Sequence, residues 1–408
     1  MAGTARRTSR SQAREEALAR AASVDVPGAA DVAVLGGGAS GLAAAIAAAE
    51  SGARVVVLER GLACGRTILA TGNGRCNLAN VLPSADRYND PAFVEAVCGG
   101  AEGFRRDVLG FFDACGLQTV CEDRGRLYPC SRQASSVREV LLARTRRSGA
   151  VLAPAREVTA VTRGAEGWLV GFSGAGGGVV PGEVRARTVV VSVGGGEGLL
   201  TGLGLACAPF EPVLCALACD PEDPRVRLAA LDGRRAHVAA RLLRDGAEVA
   251  RERGEVLFRP YGISGIAAFD LSRLARGGDV VSLCFADGAL APAELRRLRD
   301  AAGSCAGFLD PAIESALAQG GADPLELASD LRLVVRGPAE PERAQVTRGG
   351  LRTGQFDPKT LEALEAPGLF ACGEALDVDG ACGGFNLAWA WKSGLVAGAS
   401  AAARARLR

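Results

Sequence analysis

Three glycines spaced as Gly-x-Gly-x-x-Gly form the first pattern in the chain that points to chemistry: Gly36, Gly38 and Gly41. They follow the apolar run Val32–Leu35, which predicts a buried strand, and they open the alanine-rich segment Ala39–Ser51, which predicts a helix. In this setting the first glycine permits a tight turn, the second lets the backbone approach a pyrophosphate, and the third packs helix against strand. The pattern therefore predicts a dinucleotide site with the pyrophosphate at the N-terminus of the helix.

Glu59 adds a second feature of such a site. It ends the next predicted strand, Arg54–Leu58, and lies 18 residues after Gly41. A carboxylate in this position accepts hydrogen bonds from ribose hydroxyls and repels a 2′-phosphate. The N-terminal region therefore predicts a site for an ADP moiety, which both FAD and NAD carry, and it disfavours NADP there.

The C-terminal region distinguishes between these two cofactors. Gly373 and Glu374 directly follow the apolar run 369–372, where an acid suits the ribityl chain of a flavin. The stretch Gly383–Leu387 then leads into a predicted helix, and backbone N–H groups at a helix start suit the flavin edge where negative charge collects on reduction. Coupled to the first motif, these residues predict FAD.

Three stretches carry a resemblance to a known family: "GRTILATGNGRCNLAN" at 65–80, "GEVLFRPYGISG" at 254–265, and the long stretch 344–398. On these residues the chain resembles the flavoprotein family that includes aminoacetone oxidases and the proposed bile-acid dienone reductases, the BaiN-like proteins. The resemblance spans about residues 30 to 398. It implies an α/β fold in which a Rossmann-type FAD-binding domain is split in sequence by an inserted β-rich domain that carries a helical segment.

The resemblance also implies which residues hold FAD. The pyrophosphate and ribose would be held by Gly36, Gly38, Ala39, Ser40, Gly41, Glu59 and Arg60. The turn 72–77 would line the cofactor through Gly72, Asn73, Gly74, Arg75, Cys76 and Asn77. The remaining contacts would come from Val158 at the adenine and from Gly194, Gly195, Gly373, Glu374, Gly384, Phe385, Asn386 and Leu387.

Three side chains have both a chemical and a structural interpretation. Arg75 is either a cation for phosphate or anionic reduced flavin, or a surface arginine. Cys76 is either a reactive thiol beside the flavin or a small buried residue. Tyr261 is the candidate catalytic residue, as a proton donor to a substrate carbon or carbonyl, and its alternative role is a packed aromatic.

The chain departs from the family pattern at two places. Arg259 and Pro260 stand where the family usually has a threonine-histidine pair. The stretch 194–212, normally longer and rich in glycine and aspartate, is shortened. Both changes lie where we expect the substrate or the edge of the cofactor.

Composition along the chain predicts the domain organisation. Residues 1–29 are arginine-rich and predict a disordered or loosely helical tail, residues 30–198 the first part of the FAD-binding domain, and residues 341–408 its second part. Between them, residues 199–340 carry short strand-like runs followed by helical segments, which predict the inserted substrate or lid domain.

Bulk composition excludes several classes of function. The 408 residues carry a net charge of +1, so we expect no nucleic-acid partner. No charge-free apolar run of about 18 residues occurs, which predicts no membrane span, and no apolar signal segment precedes the first strand, which favours a cytoplasmic location. The 13 cysteines form no CxxC pair and His237 is the single histidine, so we expect no metal site.

Three functions remain open from the sequence. The first is an FAD-dependent oxidoreductase that reduces a conjugated C=C bond of a small hydrophobic substrate, with NAD(P)H as a transient electron donor. The second is a flavin amine oxidase, and the third is a low-turnover flavin-binding regulatory protein. No second strand-GxGxxG-helix unit is found, so we expect no separate NAD(P)H domain.

Overall fold

A computed structural model describes residues 2–176, 178–195, 197–286 and 290–407, with side chains from Ser11 onward. Gly196, within the shortened stretch 194–212, lies outside these residues. The chain divides into two compact units. The first joins Met1–Glu211 to Thr347–Arg408, and the second is Pro212–Val346.

Strands and helices alternate along the first part of the chain, and strands dominate its middle. The strands are β1 (Ala29–Leu35), β2 (Val55–Glu59), β3 (Ala79–Asn80), β4 (Thr119–Cys121), β5 (Arg126–Pro129), β6 (Val151–Pro154), β7 (Arg156–Gly164), β8 (Gly167–Gly174), β9 (Gly182–Val191), β10 (Cys207–Val213), β11 (Ala216–Pro221), β12 (Arg235–Arg244), β13 (Ala247–Arg259), β14 (Gly262–Ser264), β15 (Val280–Cys284), β16 (Leu331–Ala339), β17 (Val346–Leu351) and β18 (Leu369–Ala371). The helices are α1 (Ala2–Ala22), α2 (Ala39–Glu50), α3 (Pro91–Cys98), α4 (Gly100–Ala114), α5 (Ala134–Arg147), α6 (Glu197–Thr201), α7 (Ile266–Ser272), α8 (Pro292–Ala302), α9 (Pro311–Ala318), α10 (Pro324–Ser329) and α11 (Phe385–Arg406).

The first unit is built on a mainly parallel sheet. Its strand order is β6-β2-β1-β9-β8-β7, and β18 pairs in parallel with the C-terminal half of β9. Strands β1 and β2 are almost fully buried, as their apolar runs predict. Because β1, β2, β9 and β18 run in parallel, their carboxyl ends share one edge of the sheet, which is where α/β folds bind ligands.

Helix α11 brings the C-terminal segment back onto the first βαβ unit. It packs against α2 and also contacts β9. A Cβ added at Gly398 would lie 2.2 Å from the carbonyl oxygen of Ala44, so glycine is required for this close approach of the two helices. No helix in the described part of the chain combines the length and apolar character that crossing a bilayer requires.

The second unit is a closed barrel with helices added to it. The barrel runs β11-β14-β13-β12-β15-β16, and β16 pairs back with β11. Its interior is an apolar core that includes Phe258, Leu283 and Leu333, none of them exposed. The β-rich insert with a helical segment that the sequence predicts therefore takes the form of a barrel.

Two features of the predicted domain organisation differ from the structure. The sequence predicts a disordered or loosely helical tail before the first strand, whereas residues 2–22 form helix α1, and Leu18 and Ala21 of this helix are buried against Ala155 and Val179. The second unit begins at Pro212, not at 199, because Leu200 packs into the first unit's core and β10 pairs with β17. For the same reason it ends at Val346 instead of at residue 340.

Candidate FAD site

The glycine loop after β1 has the geometry that a pyrophosphate site requires. A Cβ at Gly41 would lie 1.9 Å from the carbonyl oxygen of Gly36, so only glycine fits there. At Gly38 the nearest protein atom to an added Cβ is Thr67 Oγ1, at 3.6 Å, so the protein itself leaves this space open. No side chain caps the N-terminus of α2, where Ala39 and Ser40 begin the helix. These backbone N–H groups and the helix dipole fit an anion.

Glu59 lies beside this loop and is held by two backbone donors. The N–H of Gly37 donates to Glu59 Oε2 at 2.7 Å, and the N–H of Gly61 donates to Glu59 Oε1 at 2.6 Å. The carboxylate is therefore fixed at the end of β2, with oxygen lone pairs left for ribose hydroxyls. Arg60 is exposed next to it. Val158 lies on β7, which packs beside β2.

The polar turn 72–77 contains an unusual run of left-handed backbone. Gly72, Asn73, Gly74 and Cys76 have φ values of 56°, 54°, 81° and 56°. Left-handed backbone at a residue other than glycine costs about 1 kcal/mol or more and clusters at functional sites. Cys76 is fully buried, and this burial raises the pKa of its thiol to about 11. The thiol therefore stays protonated at neutral pH, which favours the structural interpretation of Cys76.

Asn77 joins this turn to the start of α11. With its amide oriented to satisfy its neighbours, its oxygen accepts from the N–H of Gly384 at 3.1 Å and its nitrogen donates to the carbonyl of Ala79 at 3.1 Å. Asn80 Nδ2 likewise donates to the carbonyl of Gly383 at 3.1 Å. Two motifs far apart in sequence are therefore one structural unit.

Arg75 makes its contacts with other protein groups. It forms an ion pair with Glu122, which also binds Arg132, and its guanidinium lies 4.2 Å from the ring centroid of Tyr128. These contacts fix the position of the Arg75 side chain. They give it a structural role whatever it contributes to the cofactor.

We expect Arg75→Ala to weaken FAD retention several-fold while the fold remains intact, because the turn 72–77 loses its link to Glu122 and Tyr128. Arg132→Ala is the matched control, since it removes the other arginine on Glu122 but does not touch the turn. Fluorescence titration of the apoproteins with FAD measures both affinities. Equal losses in the two variants would assign the effect to the ion pairs alone.

Glu374 has the surroundings expected of a ligand-binding carboxyl group, because it is largely shielded from water and lacks a hydrogen-bond donor within the described part of the chain. A Cβ at Gly194 would lie 2.7 Å from Glu374 Oε2, so the carboxyl lies directly against the loop after β9, next to Gly195. No donor among the described residues forms a hydrogen bond with it, and desolvation raises its pKa to about 7. Gly373, just before it, donates its N–H to Ser393 Oγ at 2.9 Å. A carboxyl without a donor fits the hydroxyl-rich ribityl chain of FAD.

The pKa of Glu374 leads to a pH-dependent prediction. In the apoprotein its pKa of about 7 exceeds the ordinary 4.5, so its contribution to stability is present below pH 4.5 and is lost as the pH rises through 7. Ribityl hydroxyls favour the ionised carboxylate, so FAD affinity should rise by up to about tenfold in all between pH 6 and pH 8 and level off above that. Glu374→Gln should flatten this profile in a pH series of FAD titrations, and a flat wild-type profile would contradict this role.

The N-terminus of α11 offers backbone groups to a ligand. Gly384 precedes the helix and has no side chain with which to cap it, and its own N–H is bonded to the side-chain oxygen of Asn77. The Asn386 side chain is occupied by the loop before the helix, since it accepts from the N–H of Gly380 at 2.8 Å and donates to its carbonyl at 2.7 Å. The ring of Phe385 packs edge-on against Tyr88, and Leu387 is half-buried. Any contact of residues 385–387 with FAD is therefore best made by their backbone.

One ion pair in this region was not anticipated from the sequence. Arg348 Nε lies 2.7 Å from Asp379 Oδ1, and the carboxylate of Asp379 has no exposed surface. Burial of Asp377 and the nearby carboxylate of Asp379 together raise the pKa of Asp377. The glycine pair 349–350 in the family-like stretch is the sequence signal that could have drawn attention to this strand, because a Cβ at Gly350 would lie 2.7 Å from the carbonyl oxygen of Ala375.

Tyr261 belongs to the second unit, where it has a defined partner. Its hydroxyl donates to Glu340 Oε2 at 3.0 Å, and Glu340 Oε1 accepts from Arg343 at 2.9 Å. Burial and the Glu340 carboxylate raise the pKa of the Tyr261 phenol. Glu340 has a left-handed φ of 50° directly before Pro341, an unfavourable conformation that the surrounding contacts maintain. Tyr261 is thus a half-buried hydrogen-bonded phenol and not a packed ring alone.

The described residues contain no group of three or more histidine, cysteine or acidic side chains arranged to bind a metal ion.

Comparison with known proteins places the chain in a family. It matches the HI0933-like protein Rossmann domain family over residues 30–400. It is 34% identical to a 3-dehydro-bile acid delta(4,6)-reductase of Clostridium scindens, over 91% of this chain and 99% of the relative. It is 26% identical to a ribosomal RNA dihydrouridine synthase of Escherichia coli, over 89% of this chain and 96% of that relative.

Among solved structures, the chain is similar to a 3-ketosteroid-delta4-(5alpha)-dehydrogenase from Rhodococcus jostii RHA1, with a TM-score of 0.48 and 18% identity over 93% of this chain and 98% of the other. The family match covers both parts of the split domain and the barrel between them. The chain therefore belongs to the HI0933-like protein Rossmann domain family and is an FAD-dependent oxidoreductase.

Proposed function

We propose that this protein reduces a carbon–carbon double bond conjugated to a carbonyl group in a small hydrophobic substrate, with NAD(P)H as the transient electron donor. The observation that carries the proposal is the 34% identity over 99% of a relative named as a delta(4,6)-reductase. The name of the second relative, a dihydrouridine synthase, also describes saturation of a C=C bond conjugated to a carbonyl. The two names share a reaction type and not a substrate.

The residues of the first unit would hold FAD, which supplies hydride-transfer chemistry when bound. The glycine loop and the N-terminus of α2 suit the pyrophosphate, and Glu59 suits the ribose. Glu374 suits the ribityl hydroxyls. The uncapped N-terminus of α11 suits the flavin edge that becomes negative on reduction, because helix N-terminal N–H groups stabilise negative charge.

Reduction of a conjugated C=C bond also needs a proton at the carbon next to the carbonyl. We assign this proton to Tyr261. A tyrosine phenol is protonated at neutral pH, so its hydroxyl has a proton to give to the substrate. In this structure the hydroxyl donates to Glu340 Oε2 at 3.0 Å, so it must exchange this hydrogen bond for one to the substrate carbon as the proton moves.

Ribosomal RNA as the substrate is the second candidate, favoured by the 26% identity over 96% of the Escherichia coli relative. The net charge of +1 over 408 residues weighs against it, because binding to RNA phosphates draws on lysine and arginine in excess. Small enones are therefore the preferred substrate class.

An anaerobic titration tests the electron donor and separates the proposal from an amine oxidase. Purified protein is titrated with NADH, NADPH or aminoacetone while the visible absorbance of oxidised flavin is followed. Bleaching by NADH or NADPH supports the reductase, and bleaching by the amine alone would overturn it. Reduced protein is then offered an enone or unmodified ribosomal RNA, and oxidation of the flavin by the RNA alone would favour the second candidate.

A further inference from the structure

Helix α1 docks on the first unit through its last turns. Leu18 and Ala21 are buried in a small apolar cluster with Ala155 and Val179, and Leu62 packs against this cluster. Neighbouring Ala19 and Arg20 are exposed, so only one face of the helix is engaged. Helix α1 lies outside residues 30–400 that match the family.

Arg156 ties the end of this helix to the sheet. Its side chain is 4% exposed and donates to the carbonyls of Ala21 at 2.8 Å, Pro154 at 2.8 Å and Val24 at 3.1 Å. Its Nε has no acceptor among the described residues, and burial lowers the pKa of the guanidinium. The backbone carbonyls at the C-terminal end of α1 therefore stabilise the buried guanidinium of Arg156, because the C-terminus of a helix carries partial negative charge.

Two consecutive backbone hydrogen bonds connect the same cluster to the carboxylate of Glu59. Ala155, whose φ is the unfavourable 60°, donates its N–H to the carbonyl of Gly61 at 2.8 Å. Gly61 in turn donates its N–H to Glu59 Oε1 at 2.6 Å. Leu62, which follows Gly61, packs against the cluster that Leu18 and Ala21 complete.

We propose that α1 is a clamp on the adenosine end of the FAD site: its docked last turns hold the segment 59–62 in the conformation that binds the ribose. The proposal rests on FAD binding at Glu59. Because the coupling is a free energy between two binding events, it is reciprocal. FAD must stabilise the docked helix as much as the docked helix stabilises bound FAD.

Leu18→Asp tests the clamp by undocking the helix without changing the Rossmann domain, and Ala19→Asp is the matched control on the exposed face of the same turn. We expect Leu18→Asp to weaken FAD binding about tenfold, mainly through faster release, and Ala19→Asp to leave it unchanged. Thermal unfolding of both apoproteins checks that the fold persists. Equal FAD affinity in wild type and Leu18→Asp overturns the clamp while FAD binding itself stands.

Limited proteolysis tests the reciprocal effect in the unmodified protein. Arg14 and Arg20 are exposed residues of α1, and trypsin cleaves after them once the helix undocks and unfolds locally. FAD should slow cleavage at both sites severalfold in wild type, and it should not slow cleavage in Leu18→Asp. Cleavage rates in wild type that FAD does not change overturn the proposal. Wild-type protein that retains no FAD at all overturns the clamp and the proposed function together.

Discussion

Gly38→Ala is expected to weaken FAD binding by about 10- to 100-fold and to leave the stability of the apoprotein nearly unchanged. The protein itself has room for the added methyl group, since its nearest neighbour is 3.6 Å away. The loss therefore reports the ligand, because the methyl group stands between the backbone and the pyrophosphate. Hydrogen bonds to a charged group are worth about 1.5–3 kcal/mol each, which sets the expected range.

Gly41→Ala separates this effect from damage to the fold. Its Cβ would meet the carbonyl oxygen of Gly36 at 1.9 Å, so the apoprotein itself must rearrange and lose stability. The two alanine variants should therefore differ in apoprotein thermal unfolding and agree in FAD loss. Undiminished FAD affinity in Gly38→Ala would show that no pyrophosphate approaches the loop at this residue.

Tyr261→Phe is expected to lower the rate of substrate reduction by about 100-fold, the range for loss of a general acid, with FAD content unchanged. The variant keeps the ring and removes the proton that we assign to the substrate. Steady-state turnover with a conjugated enone measures the effect, and the rate of flavin reduction by NAD(P)H should stay at the wild-type value.

Tyr128→Phe is the matched control for this substitution. Tyr128 packs under the guanidinium of Arg75, and phenylalanine keeps that ring contact. Its turnover should equal that of wild type. If Tyr261→Phe also turns over at the wild-type rate, Tyr261 serves only as a packed, hydrogen-bonded residue.

The parts of the fold that could be predicted are those that depend on short stretches of sequence. The strand–turn–helix around Gly36 and Gly41 is short, and its glycines are required by contacts within a few residues or with the neighbouring strand. Because the periodicity and turn residues involved lie close together in sequence, the FAD-binding fold could be predicted. The β-rich insert was predicted from its short strand-like runs.

Contacts between distant segments were not predictable in the same way. The hydrogen bond between Asn77 and Gly384 and the ion pair between Arg348 and Asp379 depend on how the chain returns to the sheet. Closure of the barrel depends on β11 meeting β16, and these two strands are far apart in the sequence. Helix α1 is anchored by so few apolar residues that composition predicts a tail in place of a docked helix.

The roles of individual side chains were the hardest to predict. Asn386 carries a polar amide of the kind expected at a cofactor, yet both ends of that amide form hydrogen bonds with the backbone of Gly380 in the loop before the helix. Arg75 has the charge to bind a phosphate, yet it pairs with Glu122. A polar side chain in a family-like motif therefore indicates a site, but its partners decide whether it serves the ligand or the loop.

Anaerobic single turnover with a conjugated cyclic enone tests the central claim most directly. The flavin of the purified protein is first reduced with dithionite, and one equivalent of enone is then added without oxygen. The proposed function predicts that the oxidised flavin spectrum returns and that one equivalent of saturated ketone forms. A flavin that stays reduced with every enone, and is oxidised only when oxygen is admitted, would contradict a C=C reductase.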